Sequence, residues 1–453
     1  MSNLSTLAST DAQHQLHSYT NMVQLRKEGS MVIERGEGIY VFDQAGKRYI
    51  EGLSGLWSVA VGFSEPRLAE VAYRQMKELP FYHTFSHKTN IPSMELANKL
   101  VQLTRGKMAQ AFFTNSGSEA NDTIIKLVWY YNNALGRKNK KKIIARKLGY
   151  HGVTIAAGSL TGMERNHKDF DLPLPRILHT STPYWYRNGK PGESEVDYAT
   201  RCAQELEDLI LSEGPDTVAA FIGEPIIGAG GVIVPPQTYW QKVQDVCRKY
   251  DVLVIADEVI TAFGRTGHMF ASDLYDIKPD FMTLSKQITS SYLPLSAVLM
   301  NQKVADVINR HSGEVGVFGH GYTASGHPVC TAVGLENIRI IEERNLVENA
   351  RTTGEVLQEG LRALADHPLV GEVRGQGLIA AVEVVADKKT RAPFDPALKV
   401  GQRLQQHCQD NGLILRGIGE NIAFCPPLIT TPEQAGDIVS IFKQSLEALH
   451  KEL

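Results

Sequence analysis

The sequence that decides the fold is Val252-Leu253-Val254-Ile255-Ala256-Asp257, an unbroken apolar run that ends in a carboxylate. A second apolar run, Phe281-Met282-Thr283-Leu284-Ser285, leads directly to Lys286. Unbroken apolar runs of this length are typical of strands buried on both faces, as in parallel sheets covered by helices. Because ligands bind beyond the carboxyl ends of such strands, we expect Asp257 and Lys286 to meet in one site.

The region from about residue 110 onward continues this pattern, with apolar runs separated by amphipathic stretches. Helical stretches are predicted at about 119–134, 197–212 and 239–250. Alternating strands and helices indicate an α/β domain with a mostly parallel, seven-stranded sheet covered by helices. The predicted strands cover residues 109–113, 142–145, 155–157, 218–222, 253–256, 281–284 and 297–300.

Both ends of the chain indicate a second, smaller α+β domain. Residues 31–56 are typical of an antiparallel meander, and helical stretches alternate with short strands after about residue 330. At 453 residues the chain is too long for one ordinary domain. We predict an N-terminal arm and meander at 1–60, forming part of the small domain, a large domain at 61–330 and a C-terminal small domain at 331–453.

Composition excludes several classes of partner. A net charge of −3 argues against nucleic acid or a membrane surface, which both attract strongly basic proteins. The five cysteines are scattered without Cys-x-x-Cys spacing, so we expect reduced thiols and no metal site. Residues 1–21 are polar and have no apolar run of signal-peptide length. We therefore predict a cytoplasmic protein.

A short polar motif, Thr114-Asn115-Ser116-Gly117-Ser118-Glu119, follows the first predicted strand of the large domain and opens a helix. Small residues at such a turn let backbone N–H groups and a serine hydroxyl approach a phosphate. An ordinary helix cap with Glu119 in the first turn explains the motif equally well. Single residues are also ambiguous, because a lone Asp257 more often caps a loop and a lone Lys286 is normally solvated.

Seven motifs together resolve this ambiguity, since they occur in the order found in the class III aminotransferases. The chain resembles the ω-transaminases of that family from roughly Tyr19 to its C-terminal helix. The motifs are Ser116-Gly117-Ser118-Glu119-Ala120-Asn121, Gly149-Tyr150-His151-Gly152, Glu224-Pro225, Asp257-Glu258-Val259, Phe263-Gly264-Arg265-Thr266-Gly267, Ser285-Lys286 and Thr323-Ala324-Ser325-Gly326-His327-Pro328.

The resemblance implies a fold-type I enzyme whose large domain binds pyridoxal 5'-phosphate (PLP). Lys286 would bind the cofactor covalently and carry the proton in catalysis, and Asp257 would bind the ring nitrogen. Gly117 and Ser118 would bind the phosphate, joined by Thr323 from the second subunit of a homodimer or dimer of dimers.

The resemblance also implies the groups around the cofactor ring. Tyr150 would stack on one face of the ring and Val259 on the other, while Glu224 would support the pocket or serve only as a strand-end residue. His151 ranks below these residues, because a histidine beside Gly152 could hydrogen-bond the turn alone.

Substrate recognition is implied for Tyr19, Trp57, Phe85 and Arg416. Aromatic residues are more often core than pocket, so the family match alone favours the first three. Arg416 matches an arginine that binds a substrate carboxylate, although a surface salt bridge is as plausible without the resemblance. The segment Ile260-Thr261-Ala262 departs from close relatives, as does Lys88, and this leaves the substrate range open.

The expected reaction moves an amino group from an amine or ω-amino acid to pyruvate or a related oxo acid, with ping-pong kinetics. Two alternatives remain at this point. A PLP-dependent decarboxylase or aminomutase would keep the same cofactor residues, and a non-catalytic aminotransferase-like protein would bind ligands without turnover.

Overall fold

The computed structural model describes residues 10–453, so the first nine residues of the predicted arm lie outside the described residues. The strands are β1 (Ile33–Glu37), β2 (Tyr40–Asp43), β3 (Arg48–Glu51), β4 (Gln110–Thr114), β5 (Lys142–Arg146), β6 (Ile177–Thr180), β7 (Val218–Gly223), β8 (Leu253–Asp257), β9 (Phe281–Leu284), β10 (Ser296–Met300), β11 (Val370–Gly375), β12 (Ala380–Val384), β13 (Leu413–Ile414), β14 (Arg416–Ile418) and β15 (Asn421–Phe424).

Helices of widely different length connect these strands. The α-helices are Met22–Glu28, Ser54–Trp57, Pro66–Glu78, Ile91–Leu103, Gly117–Ala134, Ile155–Leu160, Trp185–Asn188, Glu195–Glu213, Tyr239–Lys249, Ala271–Leu274, Gln302–Glu314, Pro328–Glu343, Leu346–Arg362, Val400–Asp410 and Pro432–Glu452, and short 3₁₀ turns occur at Glu164–Asn166, Lys286–Ile288 and Pro396–Leu398. No helix within residues 10–453 is both long enough and apolar enough to cross a membrane.

The large sheet has seven strands in the order β4-β10-β9-β8-β7-β5-β6. Strand β10 runs antiparallel to both of its neighbours, and the pairs from β9 to β6 are parallel. The predicted mostly parallel seven-stranded sheet is therefore confirmed. Its topology brings the carboxyl ends of β7, β8 and β9 to one edge of the sheet.

One predicted strand is wrong. Residues 155–157 begin the helix Ile155–Leu160, and Ile155 is 70% exposed. A three-residue apolar run is too short for its periodicity to distinguish a strand from a helix. The missing strand is β6, an edge strand in which the polar residues His179 and Thr180 hide the apolar signal.

Helices bury both faces of this sheet, which explains its unbroken apolar strands. In β8, Leu253 and Ile255 face the side covered by the helix Gly117–Ala134. Val254 and Ala256 alternate with them and face the helices Glu195–Glu213 and Tyr239–Lys249. Asp257 ends the same strand, and at this carboxyl end of β8 it lies among polar neighbours.

Two smaller sheets join the ends of the chain. One has the order β1-β2-β3-β13, and the other has the order β11-β12-β15-β14. In the first sheet β3 pairs in parallel with β13, with Ile50 opposite Leu413 and Glu51 opposite Ile414. The N-terminal meander is therefore hydrogen-bonded to the C-terminal segment, two residues before Arg416.

The close packing of the C-terminal region makes a testable prediction. A Cβ added to Gly401, in the first turn of the helix Val400–Asp410, would lie 2.0 Å from the carbonyl oxygen of Gly419. Gly401→Ala should lower the unfolding temperature by several degrees, because forced overpacking costs about 1–3 kcal/mol.

Gly436→Ala is the matched control, since a Cβ at this glycine of the helix Pro432–Glu452 meets no atom within 4 Å. It should leave the unfolding temperature unchanged or raise it slightly, because alanine favours a helix. Equal losses for both variants in a thermal melt would contradict this account of the packing.

Candidate active site

A cavity of about 200 Å³ opens at the carboxyl ends of β7, β8 and β9. Ten of the twelve residues predicted from the sequence line it, and they come from segments spread over the whole described chain. These residues are Tyr19, Trp57, Gly117, Ser118, Tyr150, Glu224, Asp257, Val259, Lys286 and Arg416.

Asp257 lies at the base of the cavity and is 3% exposed. Its Oδ2 atom accepts hydrogen bonds from His151 Nδ1 at 2.7 Å and Asn121 Nδ2 at 2.9 Å, and Oδ1 accepts from the Val259 N–H at 3.1 Å. Burial raises the pKa of Asp257, but the bond and charge of His151, followed by Asn121 and Val259, outweigh burial and lower it below its ordinary value. Asp257 is therefore held as a carboxylate inside the protein.

Two of these partners received no site role from the sequence. Asn121 Oδ1 accepts from the Thr283 hydroxyl at 2.8 Å, so the Asn121 amide is turned with its N–H₂ group toward Asp257. Asn121 stands one turn after Gly117 on the same helix, a spacing that puts both residues on one face and could have indicated it. His151 was ranked below the other site residues because it could hydrogen-bond the turn alone, but its ring bonds Asp257.

Glu224 follows β7 and is 3% exposed. Its two carboxylate oxygens accept from the N–H groups of Tyr150 at 2.9 Å and Gly228 at 2.8 Å. Burial raises the pKa of Glu224. The nearby His151 lowers this pKa and Asp257 raises it, and the pKa of Glu224 ends above its ordinary value. The residue thus ties the turn that carries Tyr150 to the end of β7.

Lys286 follows β9 after Ser285 and has a left-handed φ of 46°. Its side chain lines the cavity, and burial lowers the pKa of its amine although Asp257 and Glu224 act in the opposite direction. A lowered pKa leaves more of the amine unprotonated at neutral pH, which is the nucleophilic form.

The part of the cavity formed by Gly117 and Ser118 suits an anion. The helix Gly117–Ala134 begins here, with Ser116 as its N-cap, and first-turn N–H groups have no partner inside a helix. Ser118 Oγ accepts from the Val153 N–H at 3.1 Å. A Cβ on Gly152 would lie 2.6 Å from that hydroxyl oxygen, so only glycine leaves room for this contact.

The walls of the cavity are apolar and aromatic. Val259 lies against the helix start, where a Cβ on Gly117 would be 3.4 Å from its Cγ2 atom. Tyr150 is part-buried, and burial together with the neighbouring Tyr19 raises the pKa of its phenol. Trp57 is 2% exposed and packs with Ile226 and Ile260 at the edge of the cavity.

Arg416 stands at the start of β14 and is part-buried. Burial lowers the pKa of its guanidinium, and Arg165 acts in the same direction. Arg416 and Arg165 both line the cavity. Within the described part of the chain, no carboxylate oxygen lies within 4 Å of the side-chain nitrogens of Arg416. The cavity lining therefore carries positive charge that no acidic side chain of the described residues neutralises.

Two predicted residues lie outside this cavity. Thr323 is exposed, and Phe85 is 44% exposed. Phe85 packs beside the same loop, since a Cβ on Gly321 would be 2.8 Å from its Cζ atom. Phe85 thus lies beside the loop that carries Thr323, and neither residue lines the cavity that holds Lys286.

The groups in the cavity fit PLP. Lys286 offers a part-buried amine for an aldehyde, and Asp257 offers an ionised acceptor for a protonated ring nitrogen. The helix start at Gly117 offers N–H groups and the Ser118 hydroxyl for a phosphate. Further cavity residues, to which the sequence analysis assigned no role in the site, are Leu56, Asn121, His151, Gly152, Met163, Arg165, Ala229, Ile260 and Ser285.

Known proteins agree with this fit. The sequence matches the family profile "Aminotransferase class-III" over residues 23–446. It is 52% identical to gamma aminobutyrate transaminase 1, mitochondrial, of Solanum lycopersicum over 422 residues, which are 93% of this chain and 82% of the relative.

Solved structures give the same result. The omega transaminase from Pseudomonas jessenii in complex with PMP superimposes with a TM-score of 0.97 at 55% identity, covering 98% of each chain. A structure described as a transaminase with L-Ala superimposes with a TM-score of 0.92 at 58% identity, covering 93% of this chain and 100% of the other. The chain belongs to the class-III aminotransferases and is a PLP-dependent transaminase of fold type I.

Proposed function

We propose that this transaminase takes the amino group from an amine or ω-amino acid and gives it to pyruvate or a related oxo acid. The observation that carries the proposal is the Arg416 guanidinium, which lines the same cavity as Lys286 without an acidic partner within residues 10–453. A guanidinium binds a carboxylate through two parallel hydrogen bonds, and an oxo acid supplies that carboxylate.

The apolar wall supports the donor side of the proposal. Trp57 and Leu56 line the same cavity and give an uncharged amine an apolar surface. An ω-amino acid would place its amine at Lys286 and its distant carboxylate at Arg416. One cavity therefore serves both donor types, and the carboxylate of the acceptor uses the same guanidinium in the second half-reaction.

The similar proteins point the same way. One is described as a transaminase of gamma-aminobutyrate, which is an ω-amino acid, and another as an omega transaminase. A third is described as a transaminase with L-Ala, the amino acid that forms when pyruvate accepts an amino group. These descriptions favour transfer over decarboxylation or isomerisation.

The residues of this chain divide the chemistry among themselves. When bound, the cofactor supplies an aldehyde for the amine and a ring that accepts electron density from the substrate carbon. Lys286 would take the proton from the carbon that bears the amine and would hold it on its amine until it is given back, because burial lowers the pKa of this amine. Asp257, kept ionised by His151 and Asn121, would bind the ring nitrogen and favour its protonated form.

A homodimer completes the proposal. Thr323 and Phe85 are exposed and lie outside the cavity of their own chain. We propose that both reach the cavity of a second copy, Thr323 at its phosphate end and Phe85 at its substrate end.

We also propose a cytoplasmic location, in keeping with the five scattered cysteines, which lack Cys-x-x-Cys spacing and are expected to be reduced thiols. The Solanum lycopersicum relative is named as mitochondrial, and that name describes the relative.

The substrate proposal is tested with β-alanine, gamma-aminobutyrate and 1-phenylethylamine as donors and pyruvate as acceptor. We expect alanine to form only when both partners are present. Product formation that does not depend on the oxo acid would instead indicate a decarboxylase or aminomutase.

The variant Arg416→Ala tests directly whether Arg416 binds the substrate carboxylate. It should weaken the use of pyruvate and β-alanine by about 10- to 100-fold in kcat/KM, because a charge-assisted pair is lost. The single-turnover reaction with 1-phenylethylamine should change little, and Arg416→Lys should restore only part of the loss. Equal losses for charged and uncharged substrates would remove the assigned role.

Lys286→Ala should abolish covalent attachment of the cofactor and lower turnover by at least ~10²–10⁴-fold, the range for a lost general acid–base group. Borohydride reduction followed by peptide mapping checks the attachment independently of activity. Lys140→Ala is the matched control, because Lys140 is a buried lysine whose pKa burial also lowers and whose Nζ donates only to backbone oxygens of Pro215 and Tyr250. A reduced adduct that persists in Lys286→Ala would place the chemistry elsewhere.

Hybrid dimers test the shared site. Thr323→Ala should weaken cofactor retention by about tenfold or more, because a hydrogen bond to a charged phosphate is lost. A hybrid of a Thr323→Ala chain and a Lys286→Ala chain, purified with two different tags, should regain one intact site. If Thr323 serves its own chain, the hybrid will instead retain cofactor as poorly as the Thr323→Ala dimer.

A further inference from the structure

The segment 53–57, which carries Trp57 into the cavity, has an unusual backbone. Ser54, Gly55 and Trp57 have left-handed φ values of 53°, 65° and 64°. Only glycine adopts this conformation freely, so two of the three positions are unfavourable. A segment of this kind keeps its shape only when surrounding groups hold it there.

Glu51 fixes the conformation of this segment through hydrogen bonds. It ends β3, is 7% exposed, and directs its carboxylate at the segment. Its Oε1 atom accepts from the Leu53 N–H at 2.9 Å, and its Oε2 atom accepts from the Gly55 N–H at 2.7 Å. The two oxygens of one carboxylate therefore fix both sides of Ser54.

No cation of the described residues compensates this buried charge. Within residues 10–453, no lysine, arginine or histidine nitrogen lies within 4 Å of the Glu51 carboxylate. Burial raises the pKa of Glu51 to about 7, which reflects how poorly water reaches it. A carboxylate in such a place is unfavourable unless hydrogen bonds satisfy it, and backbone N–H groups of the segment provide them.

Glu51 lies between the strand that leads to Arg416 and the segment that carries Trp57. Its neighbour in the strand register is Ile414, two residues before Arg416. Ser54, between its two bonded N–H groups, donates its hydroxyl to the Cys425 carbonyl at 2.6 Å. Beyond Gly55 the chain enters the cavity with Leu56 and Trp57, and the Trp57 N–H donates back to Leu53 at 2.9 Å.

We propose that Glu51 is a positioning residue for donor selectivity, which holds Trp57 in place through the Leu53 and Gly55 N–H groups and so limits the size of the amine accepted. The inference rests on the proposed amine-donor function. Glu51 does not line the cavity, so it acts only through the segment that it holds. Weakening this hold lets Trp57 move away and admits larger amines.

The test compares isopropylamine with a bulky naphthylethylamine, each with pyruvate, at about pH 8.5, where a carboxyl of pKa near 7 is ionised. The measured quantity is the ratio of kcat/KM for the bulky amine to that for the small one. This ratio does not depend on how much of a variant is folded. Glu51→Gln leaves one acceptor oxygen in place of two and should raise the ratio about five- to tenfold, the scale on which apolar pockets discriminate size.

Glu65→Gln is the matched control. Glu65 is also 7% exposed and also accepts a backbone hydrogen bond, from the Arg67 N–H at 3.3 Å, but it caps a helix outside the cavity and, unlike Glu51, pairs with an arginine, Arg344, at 2.8 Å. Its ratio should stay within about twofold of wild type. A similar rise in both variants would mean general loosening and would overturn the proposal.

A double-mutant cycle tests the route through Trp57. Trp57→Ala alone should raise the ratio, and adding Glu51→Gln should then raise it no further. An undiminished effect of Glu51→Gln in the Trp57→Ala background, or an unchanged ratio in Glu51→Gln itself, would overturn the proposal. If the wild-type enzyme accepts neither amine but transfers the amino group of β-alanine to pyruvate, the role of Glu51 in donor selectivity is wrong and the proposed transaminase function stands. If it transfers an amino group to pyruvate from no donor, the proposed function itself is wrong.

Discussion

The buried hydrogen bond between His151 and Asp257 is the interaction on which the rest of the site depends. A carboxylate at 3% exposure is unfavourable by itself, and its pKa would rise if burial acted alone. His151 and Asn121 reverse that effect and keep the charge in place. Because His151 also lies beside Glu224 near the end of β7, one polar network joins the ends of two neighbouring strands.

The proposed cofactor side and the proposed substrate side of the cavity are built differently. The cofactor groups stand on strand ends and on the first turn of a long helix, which are rigid elements of the large domain. Trp57 and Arg416 stand on segments that meet through the pairing of β3 with β13, although the two residues are far apart in the sequence. Reaction type and substrate choice therefore rest on separate parts of the structure, so the substrate side can change while the chemistry is retained.

Much of the fold was predictable from local patterns. Six of the seven strands of the large sheet overlap the apolar runs at 109–113, 142–145, 218–222, 253–256, 281–284 and 297–300, since burial on both faces excludes polar residues from them. The run at 155–157 is too short to distinguish strand from helix, and edge strand β6 carries His179 in its middle. Local periodicity fails at these positions because it records burial and not strand pairing.

For the site, the sequence by itself determined the set of chemical groups and their attachment to strand ends and a helix start. An acid after β8, a lysine after β9 and a Ser-Gly turn after β4 follow from the order of residues along the chain. Only the tertiary structure decided that His151 bonds Asp257, that Glu51 braces the segment of Trp57, and that Phe85 and Thr323 lie outside their own cavity. These relations depend on contacts between residues distant in sequence, and such contacts leave no local periodicity to read.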